Sequence, residues 1–321
     1  MSDNIKEIGG YFGLEEFTGR EYHHNLIGVN SGRNALLYII KSRKIKKLYI
    51  PSFLCDTVYK LCERENCEYE FYHIDSNFRP IFNGSLGSDE WLYIVNFYGQ
   101  ISDEEIILVK HRFDNVIFDN VQDFFRKPIK GIDTVYSCRK FFGVPDGGYV
   151  STDSVLTEQL EPDYSSERMK HILGRFEKTG SEFYSFFQEN DENFYDLGLK
   201  SMSRITKNIL KAVDYDYIIS KRNKNYSYLH KALGEYNKLN LTTPNGAYCY
   251  PFYCENGMAV KKELAKNKIY VPTLWPNVFE DGNKLEKDYA ENILPLPCDQ
   301  RYDMVDMDKI LNYVNTIKVI F

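Results

Sequence analysis

The sequence has no excess of positive charge. Its 40 Lys and Arg stand against 46 Asp and Glu, a formal net charge of −6. The basic face that binds nucleic acid is therefore not expected. No stretch approaches the roughly 18 consecutive apolar residues of a membrane span. The start, Met1-Ser2-Asp3-Asn4, is polar and no apolar signal region follows it, so no export signal is expected. The seven cysteines lack metal-ligand spacing; Cys62 and Cys67 have no second pair near them. An odd cysteine count without an export signal suggests reduced thiols and a cytoplasmic protein. Internal repeats and low-complexity linkers are also missing.

What is present bounds the architecture. A chain of 321 residues has room for one large domain and a smaller one. Apolar content is 43%, a little under the globular average, and aromatics at 15% make up the difference. The 26 tyrosines could line a stacking pocket; a general Tyr/Asn/Lys/Ile bias explains them more simply.

The pattern predicts helices over 34–43, 56–64 and 103–112, and strands over 47–51, 68–75, 91–98, 115–119, 134–137 and 148–151. Strands alternating with helices over the first 150 residues give an α/β fold, a mostly parallel sheet sandwiched by helices. Ligands of such sheets sit outside the carboxyl ends of the strands. Pro51, Asp75, Gly99, Asp119 and Ser137 all fall at predicted strand ends, which points to one shared site. Residues 153–203 read as irregular and helical, with the acidic, aromatic stretch 182–195 as a surface excursion. Residues 204–235 read as a helix pair. Beyond lie a strand (247–253), a helix (258–266), a strand (269–271) and a closing helix (306–316). This second, smaller α/β unit divides the chain into domains 1–235 and 236–321.

Three elements carry the chemistry. Asn30-Ser31-Gly32-Arg33-Asn34 precedes a helix, and a glycine there lets backbone N–H groups close on a phosphate. Ser31 alone would be an ordinary N-cap. Asp119 ends one strand, where a lone aspartate is usually a turn residue. Ser137-Cys138-Arg139-Lys140 ends the next, followed by Gly147-Gly148. An acid and a lysine on adjacent strand ends are what pyridoxal 5'-phosphate requires. The lysine amine bonds to the aldehyde carbon, and the carboxylate keeps the pyridine nitrogen protonated so that the ring draws electrons.

At these residues the chain resembles the DegT/StrS family of sugar aminotransferases, which are fold-type I pyridoxal-phosphate enzymes. Asn30-Ser31-Gly32-Arg33-Asn34-Ala35-Leu36 resembles the family's Asn-Ser-Gly-Thr-x-Ala-Leu phosphate turn. Tyr49-Ile50-Pro51-Ser52-Phe53 and Tyr72-His73-Ile74-Asp75 resemble its strands into Pro-Ser and into Asp-Ile-Asp. Asn96-Phe97-Tyr98-Gly99 with Asp103, Asp119-Asn120-Val121-Gln122, Lys140 with Asp146-Gly147-Gly148, and Leu294-Pro295-Leu296-Pro297 continue the match. The likeness is strong over 30–150 and thin over 155–240.

The resemblance implies roles. Lys140 would carry the cofactor and shuttle the proton between substrate and cofactor carbons. Asp119 would pair with the pyridine nitrogen, and Gln122 would lie beside the ring hydroxyl. Ser31, Gly32 and Arg33 would form the phosphate turn, with backbone N–H groups from Gly32 and Arg33 and the Ser137 hydroxyl on the phosphate. The implied activity moves an amino group from an amino acid such as glutamate to a keto sugar, nucleotide-linked, in surface-polysaccharide or deoxyaminosugar biosynthesis. A homodimer is implied, with residues 195–205 reaching the neighbour's site. Arg301 is a candidate clamp for a substrate carboxylate or phosphate, and Tyr98 a second substrate contact; a surface salt bridge is the plainer reading of Arg301.

Departures from the family pattern are specific. Arg33 stands where a small threonine is usual, and the ring-stacking aromatic would fall at Cys55, leaving Phe53 or Tyr98 to stack. Trp275 is a further ring that could stack or anchor. His23 and His24 could reach a substrate, though exposed polar residues are the plainer reading. The chain is short in the middle. A homologue that only binds, or one with dehydratase or lyase chemistry, is the alternative; sugar dehydratases of this kind replace the lysine with histidine, so Lys140 opposes the latter.

Overall fold

The computed structural model describes residues 8–320. Eight strands form one sheet: β1 (Ile27–Val29), β2 (Lys47–Pro51), β3 (Glu68–Ile74), β4 (Pro80–Ile81), β5 (Glu90–Val95), β6 (Val116–Asp119), β7 (Asp133–Ser137) and β8 (Gly148–Ser151). Their order is β1-β8-β7-β6-β5-β2-β3-β4. The run from β7 to β3 is parallel; β8 opposes β7, β1 opposes β8, and β4 opposes β3. The inner strands are nearly continuous in apolar residues, as strands covered on both faces must be. Helices α1 (Gly32–Arg43), α2 (Asp56–Arg64) and α3 (Asp103–Phe113) make the crossovers. Every residue of α1 from Asn34 to Ile40 is buried, because the helix packs across β7 and β8 and against α2.

Directions and register bring the strand ends together. Val29 at the end of β1 pairs with Gly148 at the start of β8, and Gly148 pairs with Ser137 at the end of β7. Beside them β6 ends at Asp119 and β5 at Val95. The turn into α1, the start of β8, Ser137 and Asp119 therefore share one edge of the sheet.

Four helices follow: α4 (Lys170–Glu177), α5 (Tyr184–Asp196), α6 (Arg204–Lys211) and α7 (Tyr215–Leu233). The stretch 182–195 is thus mostly helix. It is not a detached excursion, since Asn190 and Phe194 are buried and the Asn190 amide donates to Pro145 O at 2.9 Å. The C-terminal elements are β9 (Tyr250–Tyr253), α8 (Gly257–Lys266), α9 (Val278–Asp281), α10 (Lys284–Asn292), β10 (Ile293–Leu296) and α11 (Met304–Ile320). Here β9 and β10 form an antiparallel pair. Residues 269–271 are not a strand: Ile269 and Val271 are buried, but the Ile269 N–H turns back to Leu264 O at 3.0 Å and the segment joins neither β9 nor β10. The strand expected to reach Tyr98 ends at Val95, because a 3-10 turn over Phe97–Gly99, with φ of 55° at Tyr98, breaks the extended backbone.

Two cores interlock. Tyr226, Leu229 and Leu233 of α7 join Tyr250, Phe252, Leu264, Leu294 and Met307 in the C-terminal core. Trp275, Val278, Tyr289 and Ile293 pack instead into the core of the large sheet. Glu286 fastens this return. It is fully buried, accepts from Ser52 Oγ at 2.8 Å and from the Ile74 N–H at 3.1 Å, and also closes the capping box of α10. Among the described residues no helix is long and apolar enough to cross a membrane.

Candidate active site

The shared sheet edge carries a cavity of about 250 Å³. Ser31, Gly32, Arg33, Asp119, Gln122, Ser137 and Lys140 all line it. The turn owes its shape to close backbone approach. Ser31 caps α1, its hydroxyl accepting from the Asn34 N–H at 3.1 Å. A Cβ on Gly148 would stand 2.6 Å from the Ser31 carbonyl carbon and oxygen, and one on Gly32 would stand 3.1 Å from Ser137 Cβ. Only glycine lets β8 pass beneath the turn and the turn approach Ser137 so closely. Asp146 is wholly buried and binds the Ser203 N–H at 2.8 Å and Ser203 Oγ at 2.6 Å, which ties the Asp-Gly-Gly stretch to the start of α6.

Asp119 lies in the cavity wall with both oxygens directed. Oδ1 accepts from the Val121 N–H at 2.8 Å and Oδ2 from the Tyr93 hydroxyl at 2.5 Å. Burial pushes the Asp119 carboxyl above its usual range, while these hydrogen bonds and the Lys140 charge act in the other direction. A cation inside the cavity would favour the ionised form further. Gln122 is almost fully buried; its Oε1 accepts from the Tyr98 N–H at 2.7 Å. Among the described residues its Nε2 has no partner, and two buried nitrogens of Arg33, Nε and Nη1, have none either. A buried donor left unpaired costs roughly 1–3 kcal/mol, so these atoms fit a polar, anionic group in the cavity. The donor set, with a lysine and a carboxylate in the wall of one cavity, suits pyridoxal phosphate.

Lys140 stands where the cavity opens into a larger cleft of about 830 Å³, lined also by Tyr248, Lys268, Tyr270, Trp275, Arg301 and Lys309. The Lys140 amine lies 5.7 Å from the Tyr248 ring centre. The turn holding it is fixed from the C-terminal unit: Gln300 Nε2 donates to Phe141 O at 2.8 Å, and the buried Arg222 holds Gln300 Oε1 at 2.7 Å.

Other residues fall differently from the sequence reading. The Tyr98 ring lines none of these cavities. It is buried against Phe78 and Trp275, and only its N–H serves the site, through Gln122. Phe53 is likewise buried, 4.6 Å from Trp275. Trp275, backed by Phe53 and Phe97, is the aromatic of this cluster that reaches the cavity. Arg301 faces the cleft but is bound in a two-point ion pair to Asp299, at 2.7 and 2.8 Å. Burial alone would raise Asp299; the Arg301 guanidinium and backbone N–H, with the Arg222 charge, together outweigh it and lower the carboxyl. His23 is a core residue, not an exposed one. Its Nε2 lies 2.7 Å from Phe124 O, and burial lowers its pKa to about 4. Residues 197–200 lie along the turn of their own chain, Gly198 O accepting from Asn30 and Asn34.

Sequence reasoning missed Tyr93, Phe194 and Arg139 in the cavity wall. Tyr93 was readable only as a strand residue, since its partner Asp119 is 26 positions away. Arg139 carried one signal, its place beside Lys140.

No family model matches the chain, and no curated protein matches its sequence. Solved structures do match its fold. An aminotransferase of the DegT, DnrJ, EryC1 and StrS group from Brucella abortus aligns over 91% of this chain and 86% of its own, at TM-score 0.62 and 15% identity. NtdA from Bacillus subtilis, solved with bound cofactor PMP, aligns over 94% and 78%, at TM-score 0.65 and 12% identity. DesI, solved in the presence of its TDP-sugar product, aligns over 91% and 80%, at TM-score 0.64 and 10% identity. The chain therefore has the fold-type I architecture of the sugar aminotransferases.

Proposed function

We propose that the chain is a pyridoxal-phosphate aminotransferase that moves an amino group from an amino acid to a keto sugar. The observation that carries this reading is the cavity itself, lined by Lys140 and Asp119 together with Arg33 and Gln122, whose buried nitrogens lack partners among the described residues. The fold likeness to sugar aminotransferases supports the same reading.

Bound pyridoxal phosphate would supply an electron sink for the carbon that gives up its proton. Lys140 would hold it covalently, and Ser31, Gly32, Arg33 and Ser137 would surround its phosphate. Asp119, oriented by Tyr93 and Val121, would keep a proton on the ring nitrogen. Gln122 Nε2 would donate to the ring hydroxyl. Once free of the cofactor, the Lys140 amine would serve as the base and acid at this site, holding the proton that leaves the donor's α-carbon and, in the other half of the cycle, returning one to the carbon derived from the keto sugar. Trp275, backed by Phe53 and Phe97, would shield its part of the cavity from water.

We further propose that the sugar is nucleotide-linked, with its diphosphate in the larger cleft beside Lys268 and Lys309. The working form is a homodimer, the commonest closed assembly; sedimentation giving only monomer at micromolar concentration and full cofactor occupancy would sink this part. The central test is borohydride reduction of the cofactor-loaded protein followed by peptide mapping. The pyridoxyl mass is expected on Lys140, and a label on another lysine overturns the assignment. Amine transfer is then followed with candidate amino acids as donors.

A further inference from the structure

Three guanidinium groups surround the end of α5. Arg139 stacks on Phe194 at 4.8 Å and pairs with Asp191 at 2.9 Å. Arg168 also stacks on Phe194, at 5.1 Å, and pairs with Asp163 at 2.7 Å. Arg33 stacks on Tyr195 at 4.4 Å, and two of its nitrogens are buried with no hydrogen-bond partner. The neighbouring Asp56 is bonded to Lys60. These acids are thus paired with other cations, and among the described residues Arg33 has no ion-pair partner. Its field is felt nearby: burial lowers the Arg139 pKa, Asp191 opposes that, and the charges of Arg168 and Arg33 add to the lowering.

Leaving two buried guanidinium nitrogens without a partner is costly. Such a group persists where an anion completes it, and a rigid fork of donors matches phosphate oxygens two at a time. Arg33 lines the cavity beside Ser31, Gly32 and Ser137. Gln122, buried and with an unpaired Nε2 in the same cavity, independently marks a ligand there.

We infer that the Arg33 side chain, and not only its backbone N–H, clamps the phosphate of the ligand, and that Tyr195 holds the guanidinium in place by stacking. This turn then binds its anion with a permanent charge supplied by the same chain. The inference rests on the proposed cofactor but separates from it in the test. Binding of pyridoxal 5'-phosphate, of pyridoxal without phosphate, and of inorganic phosphate is measured on the full chain, by absorbance for the first two and by tryptophan fluorescence for the third. Arg33→Met is expected to weaken pyridoxal 5'-phosphate and inorganic phosphate by tenfold or more and to leave pyridoxal unchanged; Arg33→Lys restores part of the loss. Equal weakening of both pyridoxal compounds, or none, overturns the inference while leaving the cofactor reading intact. Arg33-dependent phosphate binding by a wild-type chain that binds neither pyridoxal compound upholds the clamp and removes the cofactor. A wild-type chain that binds none of the three overturns both.

Discussion

The turn after β1 and the helix α5 face each other across one cavity, yet they are held in different ways. The turn is fixed by backbone: Gly147 N–H donates to Asn30 O at 2.8 Å, Cys138 N–H to Gly147 O at 3.0 Å, and the Ser31 hydroxyl caps α1. Helix α5 is held mostly by side chains, through Arg139–Asp191, Asn190 to Pro145, and Arg33 over Tyr195. Asp191 is 54% exposed, and ion pairs of that kind contribute only about 0–1 kcal/mol. One wall is thus set by strand pairing and tolerates little change. The other, held by exposed ion pairs and ring contacts, is the wall more open to change by substitution.

The largest break in this contrast is expected at Asp119. Asp119→Asn keeps the Tyr93 and Val121 contacts sterically possible but removes the charge. Half-transamination should slow by at least ~100-fold, about 2.7 kcal/mol of transition-state stabilisation, with an unaltered circular dichroism spectrum. A rate within a few-fold of wild type would make the acid structural.

Gly148→Ala should come next. The new methyl would meet the Ser31 carbonyl at 2.6 Å, and such overpacking costs roughly 1–3 kcal/mol. Denaturant titration is expected to show a lower midpoint and cofactor binding to weaken with it. Unchanged values in both would mean the turn yields more readily than its hydrogen bonds suggest.

Arg301→Ala tests the larger cleft beyond both walls and should have the smallest effect. The cofactor should bind as before, while the apparent KM for donor or acceptor rises about tenfold, the loss of one charge-assisted hydrogen bond. If cofactor binding falls and both KM values hold, Arg301 serves the fold through Asp299.

The strand-end residues of the site were legible because the sheet converts sequence order into position. Asp119 and Ser137 are separated by 18 positions in the chain but end neighbouring parallel strands. The helix over Asp56–Arg64 was legible from apolar spacing alone. The false strand at 269–271 shows the limit: buried Ile and Val suggest a strand, and only a pairing partner makes one. Trp275 was visible as a candidate, but its role against Phe53 and Tyr98 was undecided. Which ring reaches a cavity depends on the packing of three separate segments.

The sequence by itself determined the parallel sheet, the glycine turn, and the order in which acid, serine and lysine reach one edge. Those features follow from local periodicity and from backbone geometry that only glycine permits. Tertiary structure decided the rest: Tyr93 beside Asp119, Glu286 pinning α10 to Ser52, Arg222 and Gln300 holding the Lys140 turn, and Arg33 left without a counter-ion. These depend on charges and hydrogen bonds between residues tens to hundreds of positions apart. Such partners carry no spacing rule, because they meet only after the apolar faces of the helices and the sheet have packed.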